Sequence, residues 1–212
     1  TKTGQLGMAV SSSSPAVAAR CAHAKAGIGV VASQNITDPR LGPKTLFAMA
    51  EGHSAPKAVK MIINAAENAD FRQVLAVDAT GNTAIYSGSK SLDIHADFAS
   101  QNAVAAGNLL ANSNIPEAMV TAFHQGTGHL GDRLIDAMRA ALALGGEAGE
   151  LHSAGLLLVG EQEWPMADLR CDWTEDCPIE AVAAAWNIYK PQMDDYIVRA
   201  LDPAKAPQYG VP

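Results

Sequence analysis

The stretch Ser153-Ala154-Gly155-Leu156-Leu157-Leu158-Val159 (SAGLLLV) is apolar at odd and even positions alike. A strand with one wet face alternates apolar and polar side chains, so a run without alternation belongs in the middle of a sheet covered on both sides. This segment therefore predicts a layered fold with a central strand. Met166 to Asp172 (MADLRCD) reads as a strand beside it, joined through the turn at Gly160 to Glu163. Upstream, Gln5 to Ser12 (QLGMAVSS) and Gly27 to Gln34 (GIGVVASQ) are short β-rich runs bounded by Gly, Pro and Ser, and Asn102 to Gly107 (NAVAAG) is a further buried strand. Val74 to Val77 and Thr83 to Ser87 flank Asp78-Ala79-Thr80-Gly81-Asn82, a hairpin loop with glycine near the position that needs positive φ. The alanine-rich stretch Ala16 to Ala26 reads as irregular or strand-like.

Helices fall between these strands. One starts over Pro43 to Met49. Ser54-Ala55-Pro56 caps another that runs through Val59, Ile62 and Ile63. A third presents Ile115, Met119, Val120 and Phe123. A fourth carries Leu130, Leu134, Ile135, Met138, Ala141 and Leu142 as one stripe and ends at Gly145-Gly146. Pro178 opens a last helix through Ile179, Val182, Ala183 and Trp186, and residues from Pro191 to Pro212 read as a C-terminal tail or packing arm. A doubly wound parallel sheet would alternate strands and helices singly. Helix pairs inserted between sets of strands instead predict an α+β fold: a four-layer αββα sandwich of two stacked, mainly antiparallel sheets, in one domain over residues 1–212.

Composition narrows the function classes. A chain of 212 residues with 48% hydrophobic content has ample material for a core, and aromatics at 5% mean that its layers meet through small side chains. The formal net charge of -7, without a run of like charge, argues against a nucleic-acid or anionic-membrane surface. Cys21, Cys171 and Cys177 make no CxxC pair and read as reduced thiols, which points to the cytoplasm. No stretch approaches the ~18 apolar residues of a membrane span.

The short motifs are weak. Gly126-Thr127-Gly128-His129-Leu130-Gly131 has the spacing of a dinucleotide fingerprint but follows a helix rather than a strand, so it reads as a helix-helix turn and no cofactor is expected. Leu151-His152-Ser153-Ala154-Gly155 lacks the first glycine of a nucleophile elbow, and Ser153 enters a strand instead of leaving one. The six histidines form no HxH or HExxH pair, so no metal site is expected. Ser11 to Ser14 stand at a strand exit, where serines satisfy turn backbone.

Other stretches carry a family likeness. Gly4 to Val10 (GQLGMAV), Ala26 to Gln34 (AGIGVVASQ) and Leu41-Gly42-Pro43 resemble the opening of the domain-of-unknown-function 1028 family. The likeness continues in Val77 to Gly81 before Ser87-Gly88, in Gly107 to Ala111, in Glu117 to Met119, in Ser153-Ala154 and in Asp168 to Asp172. The family is grouped with the N-terminal-nucleophile hydrolases, which implies the αββα sandwich a second time. It also implies attack on an amide carbonyl by a first residue that is Thr, Ser or Cys, with that residue's own amine as base. Two departures stand out. Family members usually open with a short strand before the turn that here reads Thr1-Lys2-Thr3-Gly4, and a Trp-Ala-Gly-His stretch is replaced by Ile94-His95-Ala96-Asp97. His95 therefore does not inherit that histidine's place, and Thr1 is expected to be a loop residue with the nucleophile position upstream of it.

The expected function is hydrolysis of an amide bond in a small molecule whose identity the sequence leaves open. The alternative is a non-catalytic binding or assembly protein that retains the fold. Ser33, Asn108 and Ser153 are the candidate catalytic residues and Gln34 a candidate binding residue, because each interrupts or borders an apolar strand. Asp168, Arg170 and Asp172 are further binding candidates, alternate residues on one strand face suited to an ion-pair network. Tyr196, Ile197, Val198 and Leu201 in the tail predict a homodimer.

Overall fold

A computed structural model of the protein describes residues 3–208. Its elements follow in the order β1 (Leu6–Ser12), α1 (Val17–Cys21), β2 (Ala22–Lys25), β3 (Gly29–Asn35), α2 (Leu41–Ala50), α3 (Ala55–Ala65), β4 (Arg72–Asp78), β5 (Thr83–Ser87), β6 (Ala96–Ser100), β7 (Ala103–Gly107), α4 (Ile115–Gln125), α5 (Leu130–Ala143), β8 (Ser153–Val159), β9 (Ala167–Cys171), α6 (Pro178–Tyr189) and α7 (Met193–Leu201). The strands form three sheets among the described residues, β1-β8-β9, β2-β3-β4-β5 and the hairpin β6-β7. Every pairing in them is antiparallel. This is a mixed α+β architecture. No described helix is long and apolar enough to cross a membrane.

β8 is the central strand that its two-sided apolar pattern demands, with all seven residues buried between β1 and β9. Leu156 and Leu158 point into a core shared with Ile135 and Met138 of α5 and with Ile179, Val182, Ala183 and Trp186 of α6. Burial of each leucine contributes about 2 kcal/mol. A second core lies on one face of the four-stranded sheet, where Val31, Val74 and Ala76 meet Leu46, Met49, Val59 and Ile63 of α2 and α3. On the other side of the molecule α4 and α5 pack on each other, α4 over β7 and β6 and α5 over β1.

The β4-β5 hairpin is where the turn chemistry places it. Gly81 has φ 85°, and a Cβ there would meet the Asn102 side chain at 1.9 Å, so both the backbone and the close approach require glycine. The Gly126 to Gly131 stretch is the helix-helix turn, with Gly126 ending α4 and His129 capping α5.

Two segments differ from the sequence reading. Stretch 16–26 is strand only in its second half; its first half is α1, a helix too short to form by propensity. Tertiary contacts hold it: the Val17 N–H donates to Ser153 Oγ, and Ala18 packs where a Cβ on Gly155 would come within 2.4 Å. β6 was not legible as a strand, because its small residues and outward Asp97 show little apolar alternation; it forms by pairing with β7 from Ala96↔Gly107 to Ser100↔Ala103. The segment from Pro191, read as a tail or packing arm, carries α7, which buries Met193 in the first core and stacks Tyr196 on Tyr189 at 5.5 Å. Thr1 lies outside the described residues.

Candidate functional site

A cavity of about 390 Å³ lies between the four-stranded sheet and the layer holding β1 and β7. Side-chain alternation on β3 and β4 sends Val31 and Ala76 to the helix-covered core, so Val30, Ala32, Leu75 and Val77 face the cavity. Met119 and Phe123 of α4 and Leu134 and Met138 of α5 close the opposite side. Most of this space is apolar.

One end is polar, and hydrogen bonds hold it together. Ser13, just past β1, donates its N–H to Glu147 Oε2 at 3.0 Å and its hydroxyl to Glu147 Oε1 at 2.5 Å. Ser12 Oγ lies 2.9 Å from Ser14 Oγ and accepts the Ser14 N–H at 3.1 Å. The Arg20 guanidinium, carried by α1, donates to Ser14 Oγ and to the Pro15 carbonyl. Glu147 reaches this end because its backbone bridges Leu110 and because Ala148 N–H donates to the Leu109 carbonyl at 2.7 Å. Leu109 has φ 53°, a left-handed conformation that costs on the order of 1 kcal/mol for a branched side chain, placed directly after Asn108 at the cavity wall. Arg20 and Glu147 are the charged side chains among the described residues lining the cavity. Cys21 also lines it, but burial pushes its thiol above the ordinary range, with a contact to Thr37 Oγ1 at 3.5 Å, so it stays a neutral thiol near pH 7.

The sequence candidates separate into three places. Asn108 and Gln34 line the cavity. Gln34 Nε2 donates to Gln73 Oε1 at 2.7 Å and to the Ala106 carbonyl at 3.0 Å. Ser153 is fully buried beneath the polar end, where its hydroxyl donates to the Ser14 carbonyl at 2.6 Å while accepting from Val17 N–H at 3.2 Å. Ser33 is fully buried on the opposite face of β3 and donates to the Asp38 carbonyl at 2.9 Å. Asp168, Arg170 and Asp172 lie on or just past β9, at the far edge of its sheet, with Arg170 and Asp172 paired at 3.5 Å. The cavity walls do not include these three. Arg20, Ser13 and Glu147 were not singled out by sequence, because their contact spans 134 residues for Ser13 and Glu147 and leaves no local spacing to read. The serine run was the available signal. Within the run Ser12 Oγ accepts the Ser14 N–H, the turn-backbone role expected of such serines, and all of Ser11 to Ser14 line the cavity. Among the described residues no three His, Cys, Asp or Glu side chains gather as metal ligands.

An antiparallel α+β protein with a cavity between its sheets, apolar along its length and polar at one strand exit, is the class these features define. The chain belongs to the family of unknown function DUF1028, whose model matches residues 1–182. The crystal structure of protein SPO2555 from Silicibacter pomeroyi, which carries the same family designation, is similar to this chain with a TM-score of 0.83 and 28% identity, over 89% of this chain and 85% of that one. No curated protein matches the chain.

Proposed function

We propose that this protein hydrolyses an amide bond in a small molecule at the polar end of the cavity. The observation that carries the reading is the convergence of Arg20, Glu147 and Ser12 to Ser14 at one end of an otherwise apolar cavity of small-molecule size, whose lining also includes Asn108. Arg20 and the Asn108 carboxamide are the donors available to a carbonyl oxygen that gains charge, and Glu147 is the acceptor available to the N–H of the scissile amide, holding it in place. The layering supports an αββα sandwich of the N-terminal-nucleophile type: α2 and α3, the four-stranded sheet, the strands β1, β8, β9, β6 and β7, then α4, α5 and α6. In such enzymes a terminal hydroxyl residue attacks the carbonyl while its amine takes the hydroxyl proton and passes it to the leaving nitrogen as the C–N bond breaks, and water then hydrolyses the ester, steps assigned here by analogy of fold alone.

The test is acylation by a β-lactone followed by peptide mass mapping. One adduct at the polar end, lost in Glu147→Gln and Arg20→Met, is expected. Adducts confined to surface lysines, or none, overturn hydrolysis.

A second reading, a binding protein that retains the fold, is favoured by one observation: the described residues lining the cavity include no imidazole, and the thiol there is neutral. Tight binding of a small amide without turnover or adduct distinguishes it. In either case we propose a homodimer, supported by Ile188, Tyr196 and Leu201, which remain 70%, 38% and 58% exposed at the C-terminal helices. Light scattering that gives the mass of one chain at micromolar concentration overturns that.

A further inference from the structure

A line of hydrogen bonds runs from β6 to the cavity, and each member fixes the next. The Asp97 carboxylate accepts the Ser87 hydroxyl at 2.6 Å. A carboxylate donates nothing, so the Ser87 proton is committed, and Ser87 Oγ accepts from Gln73 Nε2 at 2.9 Å. The second Gln73 amide proton goes to the Gly107 carbonyl at 3.3 Å, which leaves Gln73 Oε1 turned to Gln34. Gln34 Nε2 then donates one proton to Gln73 Oε1 at 2.7 Å and the other to the Ala106 carbonyl at 3.0 Å.

Both amide protons of Gln34 are thereby spent. A rotation that exchanged its oxygen and nitrogen would set the oxygen against two acceptors, so the orientation of the carboxamide is locked. Its Oε1 accepts no hydrogen bond from a described residue and is not enclosed by protein. Gln34 continues the β3 face of Val30 and Ala32, and all three line the cavity. A fixed acceptor on an apolar wall discriminates between ligands. An N–H or O–H placed there satisfies it, whereas an ether or ester oxygen in the same position meets it with like polarity and leaves it unpaired.

We propose that Gln34 Oε1 is the specificity-determining acceptor of the cavity, and that the ligand is a small amide carrying a second N–H or O–H donor besides its scissile N–H. The assignment rests on the reading of this cavity as the site where a small amide binds, and holds whether or not the amide is cleaved. Glu147 holds the scissile N–H at the serine end, and Gln34 takes the second donor at the wall where β3 meets β7.

Calorimetric titration of the protein with N-(ω-hydroxyalkyl)hexanamides of two to four methylenes, each beside its methyl ether, tests this. The amide N–H is common to each pair and only the hydroxyl donor differs. At least one alcohol is expected to bind about tenfold or more tighter than its ether. In Gln34→Met that preference is expected to fall below about threefold while the ether binds as before, and in Glu147→Gln it is expected to persist. If Gln34→Met loses the ether as well, the wild type decides: the NMR resonance of the Gln34 carboxamide carbon is expected to move with the alcohol and not with the ether. No preference for any alcohol, a preference that survives Gln34→Met, or a Gln34 resonance that moves alike for both ligands overturns the assignment. A preference without any lactone adduct upholds the acceptor and removes hydrolysis, whereas an adduct without the preference upholds hydrolysis and removes the acceptor.

Discussion

Glu147 accepts two hydrogen bonds from a single residue, the N–H and the hydroxyl of Ser13, at 3.0 and 2.5 Å. A carboxylate held by two donors at a strand exit is fixed in direction, and charge-assisted bonds of this kind are about twice as strong as neutral ones. Glu147→Gln keeps the shape and removes the charge. It is expected to lower the rate of active-site acylation at least tenfold while costing no more than about 1 kcal/mol of stability in urea unfolding. A fully active variant removes Glu147 from the reaction.

Asp78 joins a hairpin to a helix. Its carboxylate accepts from Ala55 N–H at 2.9 Å, the first residue of α3, and from Thr80 and Asn82 through backbone and side chain at 2.7 to 3.0 Å. Asp78→Ala strands these donors and is expected to cost about 2–4 kcal/mol, since both a helix cap and a loop lose their acceptor. Chemical denaturation that shows a loss below about 0.5 kcal/mol refutes this role.

The same residue gives a pH signature. Burial pushes the Asp78 carboxyl up, but the bonds from Ala55, Thr80 and Asn82 outweigh it and hold the carboxyl below its ordinary 3.8. The hydrogen-bonded Arg40 guanidinium holds Asp38 at about 2. Both folded values lie below the unfolded ones, so the stabilisation is complete above about pH 4 and is lost as pH falls through the folded values. Thermal melts between pH 5 and 2.5 are expected to decline for the wild type and less steeply for Asp78→Asn. Parallel declines count against Asp78 as a contributor.

Gly131 touches the largest buried side chain. A Cβ there would meet Trp186 Cζ2 at 2.5 Å, while the Trp186 indole N–H donates to Asp132 Oδ1 at 2.8 Å and so cannot shift freely. Gly131→Ala is expected to destabilise by about 1–3 kcal/mol through overpacking, despite the better helix propensity of alanine. A neutral or stabilised variant would show that Trp186 has room to move.

Much of the fold was legible where pattern and turn chemistry agree. SAGLLLV announced a strand covered on both faces, and Asp78 to Asn82 announced its hairpin because Gly81 and the Asx-type bonds act within five residues. α1 was hidden because Ser153, far along the chain, holds its first N–H. α7 was obscured by Pro191, although Met193, Tyr196 and Ile197 keep helical spacing and the proline falls in the turn that starts the helix. In the site, Gln34 and Asn108 were visible as polar residues at strand ends. Arg20 and Glu147 were not, since only the folded chain brings α1 and the segment before β8 to the same serines.

Gln73 is fully buried, and its carboxamide is used on both sides: Nε2 donates to Ser87 Oγ at 2.9 Å and to the Gly107 carbonyl at 3.3 Å, and Oε1 accepts from Gln34. β7 is built almost wholly of alanine and valine, and a cavity separates much of it from the four-stranded sheet, so side-chain shape offers little resistance to sliding by one pleat. The two glutamines act as a detent. A slip of the hairpin by two residues breaks their bonds to Ala106 and Gly107 together and leaves amides stranded in a dry interior, so alignment is enforced by polarity where shape alone would tolerate several positions.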